Sequence, residues 1–383
     1  MSKDLTPAQA KALKKQQKQA QRAARKEQGG NVGGAPQASQ QQHGSRKHTA
    51  VGNVGQSSAP ETAAPDRPFA HLDQHKPIVS AADIHPAILN LALQMRRCNV
   101  LGSTQRCVAM MEAFSKVIED YQSPPGTTLG RSLAAHLSRQ IEVLKVGRAL
   151  SVSQGNAIRW LKQHLSAVLD FKDVAAKEEL QLAIKSFVRE RLEVAAKVIV
   201  KSAGTHIRNG DTVLTFGHSS VVYQTLAAAR KEGKEFSVIC VDTPPLFEGK
   251  RSAVELVELE IPTSYILISA VPYLLDTVTT VMVGAHAMVS NGHLYSRVGT
   301  SLVAMAAFDR NIPMLVLCET LKFSERIQLD AFSVNEMIPG EGPNSVFYDL
   351  TDSKYISKVI TEVGALPASS VPVILREYKT QQV

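Results

Sequence analysis

The chain has 383 residues, of which 44% are apolar and 5% aromatic, and its 43 basic and 35 acidic side chains give a formal net charge of +8. That length is enough for two or three structural units with a sizeable core. The sequence has no run of 18 apolar residues and no apolar signal segment at its N-terminus. Composition therefore argues against a membrane span and against export, and it favours a cytosolic protein.

The cysteines and histidines give no sign of a metal site or a disulfide framework. The four cysteines form no CxxC pair, and the eleven histidines include no HExxH pattern. Structural zinc sites and small disulfide-stabilised domains need such closely spaced ligands or partners. We therefore expect neither a metal nor a cofactor.

Positive charge is concentrated at the N-terminus. Residues 1–80 carry 12 basic and 5 acidic side chains, whereas the rest of the chain is nearly balanced. Much of this segment is Gly, Ser, Gln, Ala and Pro, which bury too little apolar surface to offset the entropy of ordering. We predict a disordered basic tail over 1–80. Contact with RNA is one interpretation of the tail, but a solubilising role is favoured because no interleaved aromatic residues offer a stacking surface.

Residues 81–205 have helical periodicity throughout and are assigned to a helical domain. Asp83 and Pro86 mark the first helix start. An apolar stripe spaced by three and four residues follows at Cys107, Met111, Phe114, Ile118 and Tyr121. Further helices are predicted over about 128–148, 154–170 and 176–202.

Residues 206–383 show short apolar runs that alternate with helical stretches. Strands are predicted at Thr212–Phe216, Phe236–Val241, Ser264–Ile268, Thr280–Val283 and Met314–Cys318. Helices are predicted over about 220–232, 250–259, 271–278 and 300–310. This alternation is typical of a Rossmann-like, doubly wound parallel sheet, so an α/β domain should follow the helical one.

Ligands in such sheets bind beyond the carboxyl ends of the strands, near the point where the strand order reverses. The predicted strand ends at 217–220, 242–245 and 284–286 meet this description. Backbone N–H groups and hydroxyls at the first of them could hold a phosphate. No GxGxxG or Walker loop is present, which leaves nucleotide binding little support.

The candidate phosphate pocket contains His218 and Ser219, with Arg251 or Arg297 as the counter-charge. An ordinary capped helix is the simpler interpretation and is favoured. A Ser/His/Asp hydrolase would combine Ser219 with Asp242 and a histidine, but the GxSxG nucleophile elbow is absent. That reading is therefore disfavoured.

Longer motifs carry a resemblance to a known family. The strings NGDTVLTFGHSS, from residue 209, and GAHAMVSNGHLYSRVGT, from residue 284, resemble the family that contains the alpha, beta and delta subunits of eukaryotic translation initiation factor 2B and a group of sugar-phosphate isomerases. The segment CETLKFSERIQLDAFSVNE, from residue 318, is similar to delta-type members in particular. The resemblance covers about 84–378, which includes both folded halves.

The same resemblance implies that isomerase chemistry is lost. The isomerases have a cysteine just after the first strand and an aspartate after the third, and these places hold Gly217 and Ser269 here. The aspartate of the family's GAD motif is replaced by His286. Moving a proton between adjacent carbons needs an acid and a base of suitable pKa, which glycine and an unactivated serine do not supply. An active aldose–ketose isomerase therefore remains only the alternative reading.

The resemblance also implies a function and a set of partners. Delta-like chains are non-catalytic regulatory subunits of the complex that exchanges GDP for GTP on eukaryotic initiation factor 2, and they sense phosphorylation of that factor's alpha subunit. Expected partners are beta-like and alpha-like regulatory subunits, gamma- and epsilon-type catalytic subunits and initiation factor 2 itself. The assembly would be a decamer with two copies of each subunit.

Two surfaces are assigned to these partners. On an α-helix over 176–202, Glu190 and Val194 point away from the apolar stripe and lie one turn apart. The family uses an acidic and an apolar residue at these places to contact the substrate factor, and Arg191 lies beside them. Oligomer contacts are expected near 271–273, 323–326 and 371–375.

Overall fold

A computed structural model describes Leu72 and residues 83–126, 129–168, 173–341 and 345–380. The predicted tail over 1–80 lies outside the described residues apart from Leu72. Six helices of the N-terminal half are α1 (Pro86–Arg96), α2 (Ser103–Asp120), α3 (Leu129–Gly147), α4 (Val152–Ala167), α5 (Asp173–Val188) and α6 (Ala195–Gly204). The helices predicted before residue 176 are confirmed to within a few residues, and a helical half precedes the sheet.

Local sequence fixes the start of α4. The Ser151 side chain accepts a hydrogen bond from the backbone N–H of Gln154, whose own side chain accepts one from the Ser151 N–H. This reciprocal arrangement satisfies two N–H groups that a helix start leaves unpaired. The predicted stripe on α2 is buried at four positions, which are Cys107, Met111, Phe114 and Ile118.

The expectation of one continuous α-helix over 176–202 is wrong in its middle. A π-helical turn, Arg189–Val194, separates α5 from α6, and the Ala195 N–H bonds the Glu190 carbonyl five residues back. Ile184 and Leu192 are buried and Val188 is partly buried. These three residues are spaced by two successive steps of four, which drift about 40° each around an α-helix of 3.6 residues per turn. The wider turn keeps Leu192 facing the core, where it is 2% exposed.

The C-terminal half is a seven-stranded sheet in the order β11-β10-β7-β4-β1-β2-β3. The strands are β1 (Thr212–Phe216), β2 (Ser237–Asp242), β3 (Thr263–Leu267), β4 (Thr280–Gly284), β7 (Met314–Leu317), β10 (Lys358–Thr361) and β11 (Gly364–Leu366). All pairs are parallel except the one between β10 and β11 at the edge. The doubly wound sheet is confirmed, and its order reverses between β1 and β4.

Helices cover the sheet at the four predicted places, although the helix predicted over 271–278 is α-helical only to Leu274, and α11 was not predicted. They are α7 (Ser220–Lys231), α8 (Glu248–Val257), α9 (Val271–Leu274), α10 (Thr300–Asp309) and α11 (Val371–Thr380). Within the described ranges, no helix combines the length and the apolarity that a bilayer crossing requires.

A second, four-stranded sheet was not predicted from the sequence. Its strands, in the order β8-β5-β6-β9, are β8 (Phe323–Ser324), β5 (Ala287–Val289), β6 (Leu294–Arg297) and β9 (Tyr348–Thr351). Strands of two to four residues are too short to show an alternating pattern. This small sheet matters for the site, because β5 begins just after His286 and β6 ends at Arg297.

The last helix of the helical half packs on the sheet. Ile199 and Ala203 of α6 belong to the same buried cluster as Val213 of β1 and Ile360 of β10, whereas Leu192 belongs to the core of the helical half. The π-helical turn therefore lies where one long helical rod passes from one core to the other.

Candidate functional site

The predicted strand ends meet at the point where the strand order reverses. Gly217 follows β1, Asp242 ends β2 and Gly284 ends β4. A Cβ added to Gly284 would overlap the Ser219 side chain, so β4 and the loop after β1 are in close contact. The sequence prediction that these three ends lie together is confirmed.

Hydrogen bonds to β2 and α8 hold the loop after β1. Gly217 has a φ of +63°, which suits glycine, and its N–H donates to the Val241 carbonyl at 2.9 Å. The Ser252 hydroxyl donates to the Gly217 carbonyl at 3.2 Å and lies 2.9 Å from Nδ1 of His218. Burial and then the nearby Arg251 cation lower the pKa of His218, so His218 is a neutral hydrogen-bonding group.

The space beyond these strand ends is filled by the chain's own side chains. A residual cavity of about 10 Å³ lies among Gly217, Asp242, Glu248 and Arg297, which is room for roughly one water molecule. The Arg297 guanidinium bonds both Glu248 carboxylate oxygens, with Nε–Oε2 at 2.6 Å and Nη2–Oε1 at 2.9 Å. Such a bidentate pair is geometrically specific, and it already neutralises the charge expected to hold a phosphate.

Three other residues singled out from the sequence do not line this cavity: Arg251 of the candidate phosphate pocket, and Ser269 and His286 at the isomerase positions. Arg251 is largely exposed and pairs with Glu255 at 2.7 Å, one turn along α8. Ser269 lies on a short 3₁₀ turn after the edge strand β3 and is exposed. His286 is buried, and its ring centroid is 4.2 Å from that of Tyr348. Gly217 and Arg297 line the cavity, His218 and Ser219 belong to the loop after β1 beside it, and these three residues lie outside the lining.

The side chain of His286 is surrounded by cations. Burial, and then the charges of Arg106, Arg297, Arg148 and Lys322, hold the pKa of His286 well below its usual range. A neutral imidazole in this place cannot replace the carboxylate of the GAD motif as a negatively charged base.

A hydrolase triad is not assembled. The Asp242 carboxylate accepts hydrogen bonds from the backbone N–H groups of Thr243 and Lys250 and from the Tyr265 hydroxyl. It therefore orients the loop after β2 and not a histidine. Within the described ranges, no group of three or more His, Cys, Asp or Glu side chains is placed to hold a metal ion.

A buried charge cluster that sequence reasoning missed joins the two halves. Arg148, just after α3, contacts Glu336 through Nε at 2.6 Å and the Tyr348 hydroxyl through Nη2 at 3.2 Å. Arg106 of α2 is fully buried, and its Nη1 is 3.8 Å from the second Glu336 oxygen. One carboxylate thus lies between two arginines of the helical half. The signal available in the sequence was Arg106 itself, a charged residue on a buried helix face.

A second polar bridge runs between Thr104 and Glu319. The Thr104 hydroxyl donates to Glu319 Oε1 at 3.1 Å, and the Lys322 ammonium lies 2.7 Å from Oε2. Burial alone would raise the pKa of Glu319, but the Lys322 charge and the hydrogen bonds outweigh it, so the pKa is lowered. Both charges of this buried pair are therefore retained.

The π-helical turn presents its side chains to two environments. Glu190 and Val194 are exposed, Val194 by 43%. Val198, one turn further along, is 42% exposed and extends an apolar strip. Arg191 is also exposed, and it borders a cavity between the turn and residues 320–326. The predicted outward orientation of Glu190 and Val194 is confirmed, although it arises on a wider turn, a feature frequent at functional sites.

The three segments expected to carry oligomer contacts differ in exposure. Tyr273 is 85% exposed and Val373 is 53% exposed, whereas Phe323 and Val371 are buried in the core of the sheet. Tyr265 and Leu267, on the edge strand β3, add exposed apolar surface.

Known proteins match this architecture over most of its length. Residues 99–368 match the model of the initiation factor 2 subunit family. The eIF2B delta subunit of Schizosaccharomyces pombe is 40% identical over 81% of this chain and 73% of its own length. A ribose 1,5-bisphosphate isomerase of Methanocaldococcus jannaschii is 30% identical over 62% of this chain and 78% of its own.

A solved assembly gives the same result for the three-dimensional structure. A chain of the tetrameric eIF2B-beta2-delta2 complex of C. thermophilum superposes with a TM-score of 0.73, at 37% identity, over 77% of this chain and 97% of that one. The helical half, the mostly parallel sheet and the sequence of this chain all agree with these relatives. The chain therefore belongs to the initiation factor 2 subunit family.

Proposed function

We propose that this chain is a delta-type regulatory subunit of the complex that exchanges GDP for GTP on eukaryotic initiation factor 2, and that it has no catalytic activity of its own. The observation that carries the second part is the Arg297–Glu248 pair, which fills the cleft beyond the strand ends. The similarity to delta subunits over most of the chain supports the first part.

Three observations favour loss of isomerase activity. The cleft has space for about one water, whereas a sugar bisphosphate needs a far larger site. Gly217 offers no side chain where the isomerases have a cysteine. His286 is buried, with a lowered pKa that keeps it neutral, and Ser269 is exposed and does not line the cleft. Neither the acid nor the base of a proton transfer is in place.

In this proposal the chain works by holding other polypeptides. Its α/β half pairs with a beta-like subunit through the exposed apolar surface near Tyr273, and alpha-like subunits complete the regulatory core. Gamma- and epsilon-type subunits carry out nucleotide exchange in a cytosolic decamer with two copies of each chain. One of the structural relatives is a chain of a beta2-delta2 tetramer, which supports a beta-like partner for this chain.

The π-helical turn is the proposed contact for the alpha subunit of initiation factor 2. Glu190, Arg191 and Val194 supply an anion, a cation and an exposed apolar group within one turn. Exposed apolar residues flanked by charges are typical of transient protein interfaces. Phosphorylation of the partner would change its charge and so its fit to this turn.

Two measurements test the proposal. The tagged full chain, isolated from its own cells, should bring down beta-like, alpha-like and catalytic subunits together with initiation factor 2. The purified chain should not convert ribose 1,5-bisphosphate, whereas a parallel preparation of the archaeal isomerase does. Recovery of the chain without these partners would reject the regulatory assignment. Turnover abolished by Arg297→Ala would reject the loss of catalysis.

A further inference from the structure

A second cavity, of about 300 Å³, lies between the helical half and the α/β half. It is bounded by α4, by the π-helical turn, by residues 320–326 and by α11, and it is distinct from the filled cleft beyond the strand ends. Its volume reaches the lower end of the range for small-molecule sites, about 300–1,000 Å³. The cavity is therefore large enough for a small organic ligand.

The floor of this cavity is held rigidly. The Asn156 side-chain amide donates to the carbonyls of Leu321 at 2.8 Å and Phe323 at 3.1 Å, so α4 is tied directly to the segment after β7. Phe323 itself is buried in the core. A site whose walls are fixed in advance loses little conformational entropy on binding.

One wall is aromatic. Trp160 of α4 is half-buried, and its ring centroid lies 4.4 Å from that of Phe187 on α5 and 4.1 Å from that of His164 on α4, which leaves part of the indole for a ligand. Leu321 and Leu375 add aliphatic surface to the lining. Flat apolar walls of this kind favour a ligand with a planar apolar body.

The rim is positively charged. Arg159, Arg191 and Arg326 border the cavity against one acidic residue, Glu325. Arg159 lies on α4 and Arg326 on the segment after β8, and both are exposed. Guanidinium groups match carboxylate and phosphate in geometry as well as charge, and a cleft lined by one sign of charge concentrates ions of the other.

We propose that this cavity binds a small anionic molecule with a planar ring, its ring against Trp160 and its phosphate or carboxylate between Arg159 and Arg326. This goes beyond the proposed function, since neither subunit assembly nor contact with the substrate factor requires it. A ligand here would touch both halves of the chain and Arg191 of the π-helical turn. Its binding would therefore affect the surface proposed to contact the alpha subunit of initiation factor 2.

The chain provides its own reporter, because Trp160 is its single tryptophan. The full chain is titrated with adenosine 5′-monophosphate as the probe, and with adenosine and inorganic phosphate as its two separate parts. Trp160 fluorescence should change saturably with the monophosphate and only at much higher concentration with either part. Raising the salt concentration should weaken the monophosphate response, because the charges at the rim are exposed.

Variants at the rim provide the control. The double variant Arg159→Gln with Arg326→Gln should weaken binding of the monophosphate by about tenfold or more, since it removes two charge-assisted contacts, and should leave the adenosine response unchanged. Arg131→Gln, an exposed arginine on α3 outside the cavity lining, should bind as the native chain does. Native circular dichroism of each variant confirms that folding is retained.

Three results would overturn the proposal. The first is no saturable fluorescence change with the monophosphate at millimolar concentration. The second is equal binding by the native chain and the rim variant. The third is inorganic phosphate binding as tightly as the monophosphate, which would leave the aromatic wall without a role. Each result is independent of whether Glu190 contacts the substrate factor, so the two proposals fail separately.

Discussion

Arg148 and Glu336 lie 188 residues apart in the chain and form a buried ion pair with Nε and Oε2 2.6 Å apart. Their side chains are 6% and 12% exposed. The pair joins the end of α3 to the segment before β9, and the Arg148 guanidinium also lies 4.2 Å from the centre of the Phe347 ring. The contact is therefore a principal polar link between the helical half and the α/β half.

Arg148→Met should lower the free energy of unfolding by about 3–5 kcal/mol, because it leaves the Glu336 carboxylate buried without its main partner. Urea unfolding followed by Trp160 fluorescence measures the loss. Arg139→Met is the matched control, since Arg139 pairs with Asp83 where both are more than half exposed, and it should cost less than about 1 kcal/mol. Equal losses in the two variants would contradict the structural role of the buried pair.

Gly284→Ala should be destabilising by about 1–3 kcal/mol, because its methyl group would overlap the Ser219 side chain. Gly155→Ala is the control, and its expected effect on stability has the opposite sign. No atom lies within 4 Å of a Cβ at Gly155, so alanine there should stabilise α4 by about 0.5–1 kcal/mol. Adding Ser219→Gly should recover part of the stability lost in Gly284→Ala. If the effects of the two substitutions on the free energy of unfolding simply add, the two residues are not in direct contact.

His286 should make stability fall as the pH falls. Its folded-state pKa lies well below 6.5, so the unfolded chain binds more protons below pH 6.5 and stability is lost there at about 1.4 kcal/mol per pH unit. Burial raises the pKa of Asp349 to about 6. This carboxyl therefore contributes stability at low pH, which is lost as the pH rises from about 4 to 6. Comparing the native chain with His286→Phe isolates the histidine. If the stability of the two proteins changes in parallel between pH 5.5 and 7.5, His286 is not the cause of the pH dependence.

Glu190→Lys should weaken binding of initiation factor 2 by roughly tenfold, because it reverses a charge at the rim of the proposed contact. It should also reduce the difference in affinity between the phosphorylated and unphosphorylated factor, with the subunit assembly intact. Glu179→Lys, the same change three turns earlier on α5, is the control. Unchanged affinity for both forms of the factor would place Glu190 outside the interface.

Tyr273→Arg should reduce capture of a co-expressed beta-like subunit by about tenfold or more, since aromatic residues at interface centres contribute most to affinity. The side chain is 85% exposed, so the fold of the chain should be unaffected. Leu182→Arg, at an exposed apolar residue of the helical half, should leave capture unchanged. Without its partner, the native chain should self-associate, and a stable monomer on a sizing column would count against the surface.

The main sheet was predictable from the sequence because each of its central strands is a buried apolar run followed by an amphipathic helix. Thr212–Phe216 was predicted with the bounds that the structure shows. The small sheet was not, since β5 and β8 are two or three residues long. The π-helical turn left only a faint signal, the two successive steps of four before Leu192.

The candidate site was harder to predict than the fold. Sequence position placed Gly217, Asp242 and Gly284 together because parallel strands end at one edge. It could not show that Glu248 neutralises Arg297, because α8 and β6 meet only in the folded chain. Nor did any motif indicate that residues 106, 148 and 336 share one buried cluster, since they come from three distant segments.

The π-helical turn sets the rotational phase between the two halves of the chain. A π-helical turn holds one more residue than the α-helical turn it replaces. Removing one residue from Arg189–Val194 should therefore restore ordinary α-helical winding and keep Ile199 and Ala203 against Val213 and Ile360. Removing a second residue, with no wide turn left to absorb the change, would rotate everything after it by about 100° and misalign one core relative to the other.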